Sequence, residues 1–445
     1  MDVREAIQQE AGAETGFASV TFNQDESCFS CANEQGFLVY NTFPLSLKLT
    51  KEFKQTPERG AGIGYSQMLY RTNYIALVGG GQRPRYSLNR VVIWDDLQQK
   101  ESFSLKFMSI VRKVVLSRVH LIVALENELF IYSFHSTPKL LCPPIKTAPF
   151  GPFDFKVVTI EGKATDQAKV TSLLAYPSAK LTGQLHVADL SKLRSNQNNN
   201  QDMALTSESF LPTTIIKAHK APIRNVRINN QGTMVATASR KGTLIRIFST
   251  HNGILLKEFR RGLDRAEIYD MCFSPLGTRL AVVSDKQTLH VFQIAPMAEG
   301  TLNPANPEDH QSSGSNGHIK ANTNQVHSLR NIVPTSWKPK YLDSVWSMCK
   351  VHLRNPKLRN NVNDLAFNED RCTIAWCRQN RSHTFKNGNY FNENEENKLV
   401  LVWKNSRIWE KYVILEKEAP NSNDGIKGPS PLTEWELVRE SWREL

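Results

Sequence analysis

The sequence predicts an all-β fold, a seven-bladed β-propeller, on three observations. A short apolar strand ending in an aromatic recurs: FLVY to Tyr40, VVIW to Trp94, LFIY to Tyr132, LIRIF to Phe248, LHVF to Phe292 and LVLVW to Trp403, with a weaker copy, QLHVAD, ending at Asp189. Each copy follows two earlier apolar strands, as in FASVTF, RKVVLS, RNVRIN, IYDMCF and NDLAF, then YIALVGG, LIVAL, MVATAS, LAVVS and CTIAWC. Units of roughly 40 residues with about four strands each are the mark of a propeller blade. No run of about 18 apolar residues is present, so no helical membrane span competes for the apolar residues.

The units divide the chain into blades at 17–55, 60–108, 109–148, 149–218, 219–259, 260–352 and 360–445, one domain over residues 1–445. One sheet cannot bury both of its faces, but sheets packed radially can. Only Trp94-Asp95 reproduces the dipeptide of WD repeats. WELVRESWREL, at the end of the chain, reads as the outer strand of the last blade. Two insertions interrupt the spacing. Residues 191–210, in blade four, are polar and Asn-rich, the composition of a disordered loop. Residues 295–343, in blade six, begin with a stretch low in apolar residues and end in NIVPTSWKPKYL, where Ile332, Val333, Trp337, Tyr341 and Leu342 stand among lysines. Trp and Tyr favour the headgroup region and lysines favour anionic lipid, so this end of the loop is a candidate membrane-inserting segment.

The chain of 445 residues carries 55 basic and 43 acidic side chains, a formal charge of +12. That excess favours anionic partners: nucleic acid, acidic proteins or an anionic membrane surface. The basic residues are spread out rather than gathered in a tract, which makes nucleic acid the least favoured of the three. The N-terminal MDVREAIQQEAGAE lacks the basic and apolar segments of a secretory signal, so a cytoplasmic location is expected. Seven cysteines scattered through apolar strands read as buried free thiols. Cys28 and Cys31 form a CxxC, but no second Cys or His pair stands nearby to complete a metal site. No motif for a nucleophile, a metal pair or a phosphate loop opening a helix is present, so neither catalysis nor a cofactor is expected. Gly79 to Gly81 lead into QRPRYSLNR, a basic loop.

The residues richest in chemistry lie between Lys257 and Ile294. Arg260 and Arg261 are adjacent, and neighbours on a strand point to opposite sides, so the pair serves two ligands more readily than one. Ser284, Lys286, Thr288 and His290 then alternate along one face. Hydroxyls, a cation, an imidazole and the planar fork of Arg are what phosphate oxygens accept hydrogen bonds from.

EFRRG, followed by SDKQTLHVF and preceded by ATASRKGTLIRIF, resembles the PROPPIN family of WD-type propellers that bind polyphosphoinositides, in particular its fungal members homologous with the swollen-vacuole protein. The resemblance implies a ring closed without strand exchange and two headgroup sites on adjacent blades. Site one would use His219, Ser239, Thr243, Arg246 and Arg260; site two would use Arg261, Ser284, Lys286, Thr288 and His290, with both arginines on a solvent-accessible rim. His219 is as readily a structural histidine tying blades together. The implied ligands are phosphatidylinositol 3-phosphate and phosphatidylinositol 3,5-bisphosphate. The implied role is that of an effector or scaffold in autophagy, including micronucleophagy, and in vacuolar and endosomal trafficking. It would associate peripherally with vacuolar, endosomal and pre-autophagosomal membranes, with autophagy or trafficking proteins on other blades. The competing reading is an interaction scaffold for acidic peptides or a coiled coil, on a surface such as Arg112, Lys113 and Arg118, with lipid incidental.

Overall fold

The computed structural model describes residues 16–149, 152–160, 169–180, 182–193, 211, 213–295, 324–325, 344–357, 367, 369–377, 396–417 and 434–445. The strands form seven antiparallel sheets of four, each sheet built from consecutive strands. Blade one holds β1–β4 (Ser19–Phe22, Cys28–Asn33, Gly36–Asn41, Ser46–Glu52) and blade two β5–β8 (Ile63–Met68, Tyr74–Gly79, Arg90–Asp95, Lys100–Lys106). Blade three holds β9–β12 (Lys113–Leu116, His120–Ala124, Glu128–Ser133, Ile145–Lys146) and blade four β13–β16 (Asp154–Ile160, Lys169–Pro177, Gln184–Asp189, Thr213–Lys217). Blade five holds β17–β20 (Ile223–Ile228, Met234–Ser239, Leu244–Ser249, Leu255–Arg260) and blade six β21–β24 (Ile268–Phe273, Arg279–Ser284, Thr288–Gln293, Cys349–His352). Blade seven holds β25–β28 (Cys372–Trp376, Lys398–Trp403, Ile408–Glu416, Trp435–Glu444).

Several second and third strands are covered on both faces, which is why their centres read as apolar runs; every residue of β22, with LAVV at its centre, is buried. The outer strands are half-covered and alternate, as in β8. The aromatic that ends the third strand packs between blades. Phe292 of blade six stacks on Phe259 of blade five with ring centroids 4.9 Å apart, inside a buried cluster that joins the two sheets. The seven cysteines are buried and free. The stretches 194–210, 296–323 and 326–343, which carry most of both insertions, lie outside the described residues.

All seven innermost strands line an axial cavity, to which they contribute Thr21, Tyr65, Val115, Lys156, Arg227, Asp270 and Thr373 in turn. Arg227 of blade five bridges its neighbours across this axis, reaching Asp270 of blade six at 2.6 Å and Asp154 of blade four at 3.9 Å. Lys113 points into the same cavity and donates to the Phe153 carbonyl at 2.8 Å. Arg112 and Lys113 thus line the axial cavity, and Arg118, expected on one basic surface with them, does not.

The ring closes without strand exchange, because β1 pairs within blade one and β28 within blade seven. Side chains hold the joint instead. Phe17, Phe29 and Tyr40 of blade one pack with Val400, Val402 and Trp409 of blade seven. Glu26, in the turn between β1 and β2 with φ at 61°, spans the joint further. Its Oε2 accepts from the Trp376 amide of blade seven at 3.2 Å, and its Oε1 accepts from the Cys272 thiol of blade six at 3.1 Å. Glu26→Ala is expected to lower the unfolding free energy by about 1–3 kcal/mol, the cost of stranding buried donors, while Glu26→Gln, which keeps an acceptor for Trp376, costs less. Denaturant midpoints measure both; an unchanged midpoint in the alanine variant would remove Glu26 from the closure.

Candidate anion-binding sites

Blades five and six present matching constellations at the end of their second strands and the start of their third. Ser239 pairs with Ile223 at the rim of blade five, and Ser284 pairs with Ile268 at the same place in blade six. One strand further out, Arg246 stands opposite Thr237 and His290 opposite Val282. Thr288 opens the third strand of blade six, and Thr243 lies one residue before the third strand of blade five.

β20 decides where the arginines go. Glu258 lies opposite Arg246 and Arg260 opposite Leu244, so Glu258 and Arg260 share one face. Arg246 on that face reaches the Ala218 carbonyl at the end of blade four, 2.6 Å away. Phe259, on the other face, packs into blade six. Arg260 is therefore on the blade-four side, and its Nε donates to the Ser344 hydroxyl at 2.8 Å. Arg261 is on the blade-six side, where the charge of Asp285 acts on it and its own charge acts on His290. The adjacent arginines diverge, as strand alternation requires.

Arg261 departs from the expectation of an open rim, since only 6% of it is exposed. Its Nε donates to the Gly242 carbonyl at 2.8 Å, its Nη2 donates to the Asp264 carbonyl, and burial lowers its pKa. Gly242 has φ at +62°, and a Cβ there would run into the Ala266 carbonyl oxygen, so only glycine turns that carbonyl toward Arg261.

Arg246 is already compensated: its Nε bonds Glu258 at 2.7 Å. His219 Nε2 lies 2.9 Å from the Thr237 hydroxyl, a side-chain bond within blade five rather than between blades. His290 Nδ1 lies 3.1 Å from the Ser347 hydroxyl. Both histidines are buried. Burial, helped by the charge of Arg246, lowers His219 to about 4; burial, helped by Arg261 and Lys350, lowers His290 to about 3. Both are neutral at pH 7 and act as hydrogen-bonding groups rather than cations. Lys286 is exposed, and Thr288 Oγ1 donates to the Lys286 carbonyl at 3.1 Å.

The depressed histidines give stability a pH dependence. Unfolded, they bind protons below about 6.5; folded, they refuse them down to about 4 and 3. Their contribution is thus complete above 6.5 and lost as pH falls, with a slope of up to about 1.4 kcal/mol per pH unit for each. Denaturant midpoints between pH 7 and 5 should fall less steeply in His290→Asn than in the wild type; equal slopes would show that His290 does not titrate this way.

Sequence reasoning missed Ser344 and Ser347, whose hydroxyls meet Arg260 and His290 after an insertion of about fifty residues. The last strand of blade six, β24, begins only at Cys349. Val345 instead bridges Phe259 of blade five in parallel, because its carbonyl accepts the amide of Arg260 at 2.8 Å.

A family model described as PROPPIN matches residues 69–328. SVP1-like protein 2 of Saccharomyces cerevisiae is 49% identical, with 100% of both chains covered. SVP1-like protein 2 of Eremothecium gossypii is 40% identical over 96% of each chain. Among solved structures, Kluyveromyces lactis Hsv2 with a complete loop 6CD superposes with a TM-score of 0.62 at 27% identity, covering 97% of this chain and 99% of that one. A complex of KlAtg21 with the coiled-coil of AgAtg16 matches with a TM-score of 0.58 at 17% identity, over 96% of this chain and 99% of that one, a likeness of fold alone.

Proposed function

The chain belongs to the PROPPIN family, and from that premise we propose that it is a non-catalytic, phosphoinositide-binding peripheral membrane protein acting in autophagy and in vacuolar or endosomal trafficking. Its ligands are phosphatidylinositol 3-phosphate and phosphatidylinositol 3,5-bisphosphate, each held at two headgroup sites. The observation that carries this reading is the divergence of Arg260 and Arg261 toward matching polar constellations on adjacent blades. Site one takes its donors from His219, Ser239, Thr243, Arg246 and Arg260, and site two from Arg261, Ser284, Lys286, Thr288 and His290. The formal charge of +12 favours an anionic surface. No helix among the described residues is long and apolar enough to cross a membrane. Binding two headgroups on one bilayer multiplies modest single-site affinities by about 10² or more through effective concentration. Ile332, Val333, Trp337, Tyr341 and Leu342, which lie outside the described residues, add insertion from the blade-six loop.

Sedimentation with vesicles that each carry a single phosphoinositide, beside a DNA duplex, tests the reading. The protein should pellet with the 3-phosphorylated lipids and not with the duplex; equal binding to any anionic vesicle would overturn it. Trp337→Asp should weaken vesicle binding and leave a soluble headgroup bound as before, since insertion acts only where a bilayer is present. A matching loss for the soluble ligand would exclude insertion.

A further inference from the structure

The axial cavity has a floor. It is built by the turn after β1, where the Gln24 side chain of blade one donates to the Met68 carbonyl of blade two at 2.9 Å and to the Leu116 carbonyl of blade three at 2.8 Å. The backbone carbonyl of Gln24 meets Lys156 Nζ of blade four, from the opposite side of the ring, at 3.5 Å. Lys113, the first residue of β9, stands toward the other end of the innermost strands, at the mouth. We propose that this cavity binds a compact, soluble organic anion with a phosphate at each end, one held by Lys156 at the floor and the other by Lys113 at the mouth. The site is separate from the headgroup sites on the rim of blades five and six.

Donors outnumber acceptors on the cavity walls. The carboxylates that line it are Glu26, Asp154 and Asp270, and each is engaged at both oxygens. Asp154 accepts from the Ile228 amide at 2.7 Å and faces Arg227 at 3.9 Å. Asp270 accepts from Arg227 at 2.6 Å and from the Ile374 amide at 3.1 Å. Glu26 holds the Trp376 amide and the Cys272 thiol. The lysines differ. An ammonium has three donors, yet Lys113 spends one on the Phe153 carbonyl at 2.8 Å and Lys156 one on the Gln24 carbonyl. Neither lysine forms an ion pair among the described residues, so both charges face the cavity without a counterion.

With Arg112 and Arg227, four cations stand against three carboxylates on these walls. Water satisfies spare N–H groups but leaves the charge uncompensated between walls of protein, where a counterion gains more than it does in bulk solvent. Lysine binds phosphate as a point charge, which suits a cavity wider than a bidentate clamp. The volume of about 400 Å³ lies within the roughly 300–1,000 Å³ of small-molecule sites. Because the two lysines stand at different depths, one phosphate alone engages one of them, and a molecule with two engages both.

The Arg260→Ala, Arg261→Ala double variant, which lacks the rim arginines, is titrated calorimetrically at constant ionic strength with inorganic phosphate and with fructose 1,6-bisphosphate. One equivalent of the bisphosphate should bind, at least about tenfold more tightly than inorganic phosphate, because only it gains a tethered second contact. Lys113→Met and Lys156→Met, added singly, should each abolish that preference, whereas Lys156→Arg, which keeps the charge, should retain most of it; thermal melts establish that each variant is folded. The bisphosphate should raise the melting temperature of the parent and leave that of the methionine variants unchanged. Equal affinity for the two ligands, or a preference that survives both methionine substitutions, overturns the axial site, and so does the absence of any binding.

Discussion

Replacing Arg260 and Arg261 together by alanine is expected to reduce the apparent affinity for vesicles carrying phosphatidylinositol 3-phosphate by about 10² or more, because both headgroup sites and the avidity between them are lost together. The effect on stability is smaller, and it comes from one arginine. Arg260 is half-buried and bonds a serine hydroxyl at the edge of the sheet. Arg261 is buried and holds the Gly242 and Asp264 carbonyls; its removal strands them at a cost of about 1–3 kcal/mol, which for a domain of this size shifts Tm by a few degrees. Co-sedimentation and a thermal melt on the same preparation separate the two effects. Arg261→Lys serves as a control, since it retains the charge but not the fork that reaches both carbonyls. Vesicle binding that survives in the folded double variant would remove the arginines from recognition.

The frame of this propeller was legible because blade-to-blade packing writes itself into the chain. Strands such as β22, buried along their whole length, carry an apolar centre, here LAVV. The aromatics that close the third strands, Phe292 among them, stack against the next sheet. The divergence of Arg260 and Arg261 was legible too, since it needs only the two-residue period of a strand. What was hidden depends on contacts distant in sequence. The burial of Arg261 is set by a carbonyl that Gly242 alone can expose. Ser344 and Ser347 reach the sites from beyond the long insertion, where spacing carries no information. Lys113 read as surface because cation content says nothing of the axial cavity into which an innermost strand turns its side chain.

The divergence of the arginines has a sharper consequence for the single variants. Arg260 lies on the face toward blade four and Arg261 on the face toward blade six, so each alanine substitution should remove one site and spare the other. Titration with inositol 1,3-bisphosphate, the soluble headgroup of phosphatidylinositol 3-phosphate, should approach two equivalents in the wild type and one in either variant. On vesicles the loss should be far greater than half, since a remaining site no longer gains from a tethered second contact. Salt should weaken every one of these interactions, as the half-buried Arg260 and the exposed Lys286 act at least partly through solvent that ions screen. The single variants should also differ in stability: Arg261→Ala lowers the melting temperature through its two lost carbonyl bonds, and Arg260→Ala much less. A wild-type stoichiometry of one, or a single substitution that abolishes all soluble binding, would mean that both arginines serve one pocket, and the two faces of β20 would then have to be joined by a path around its last residue.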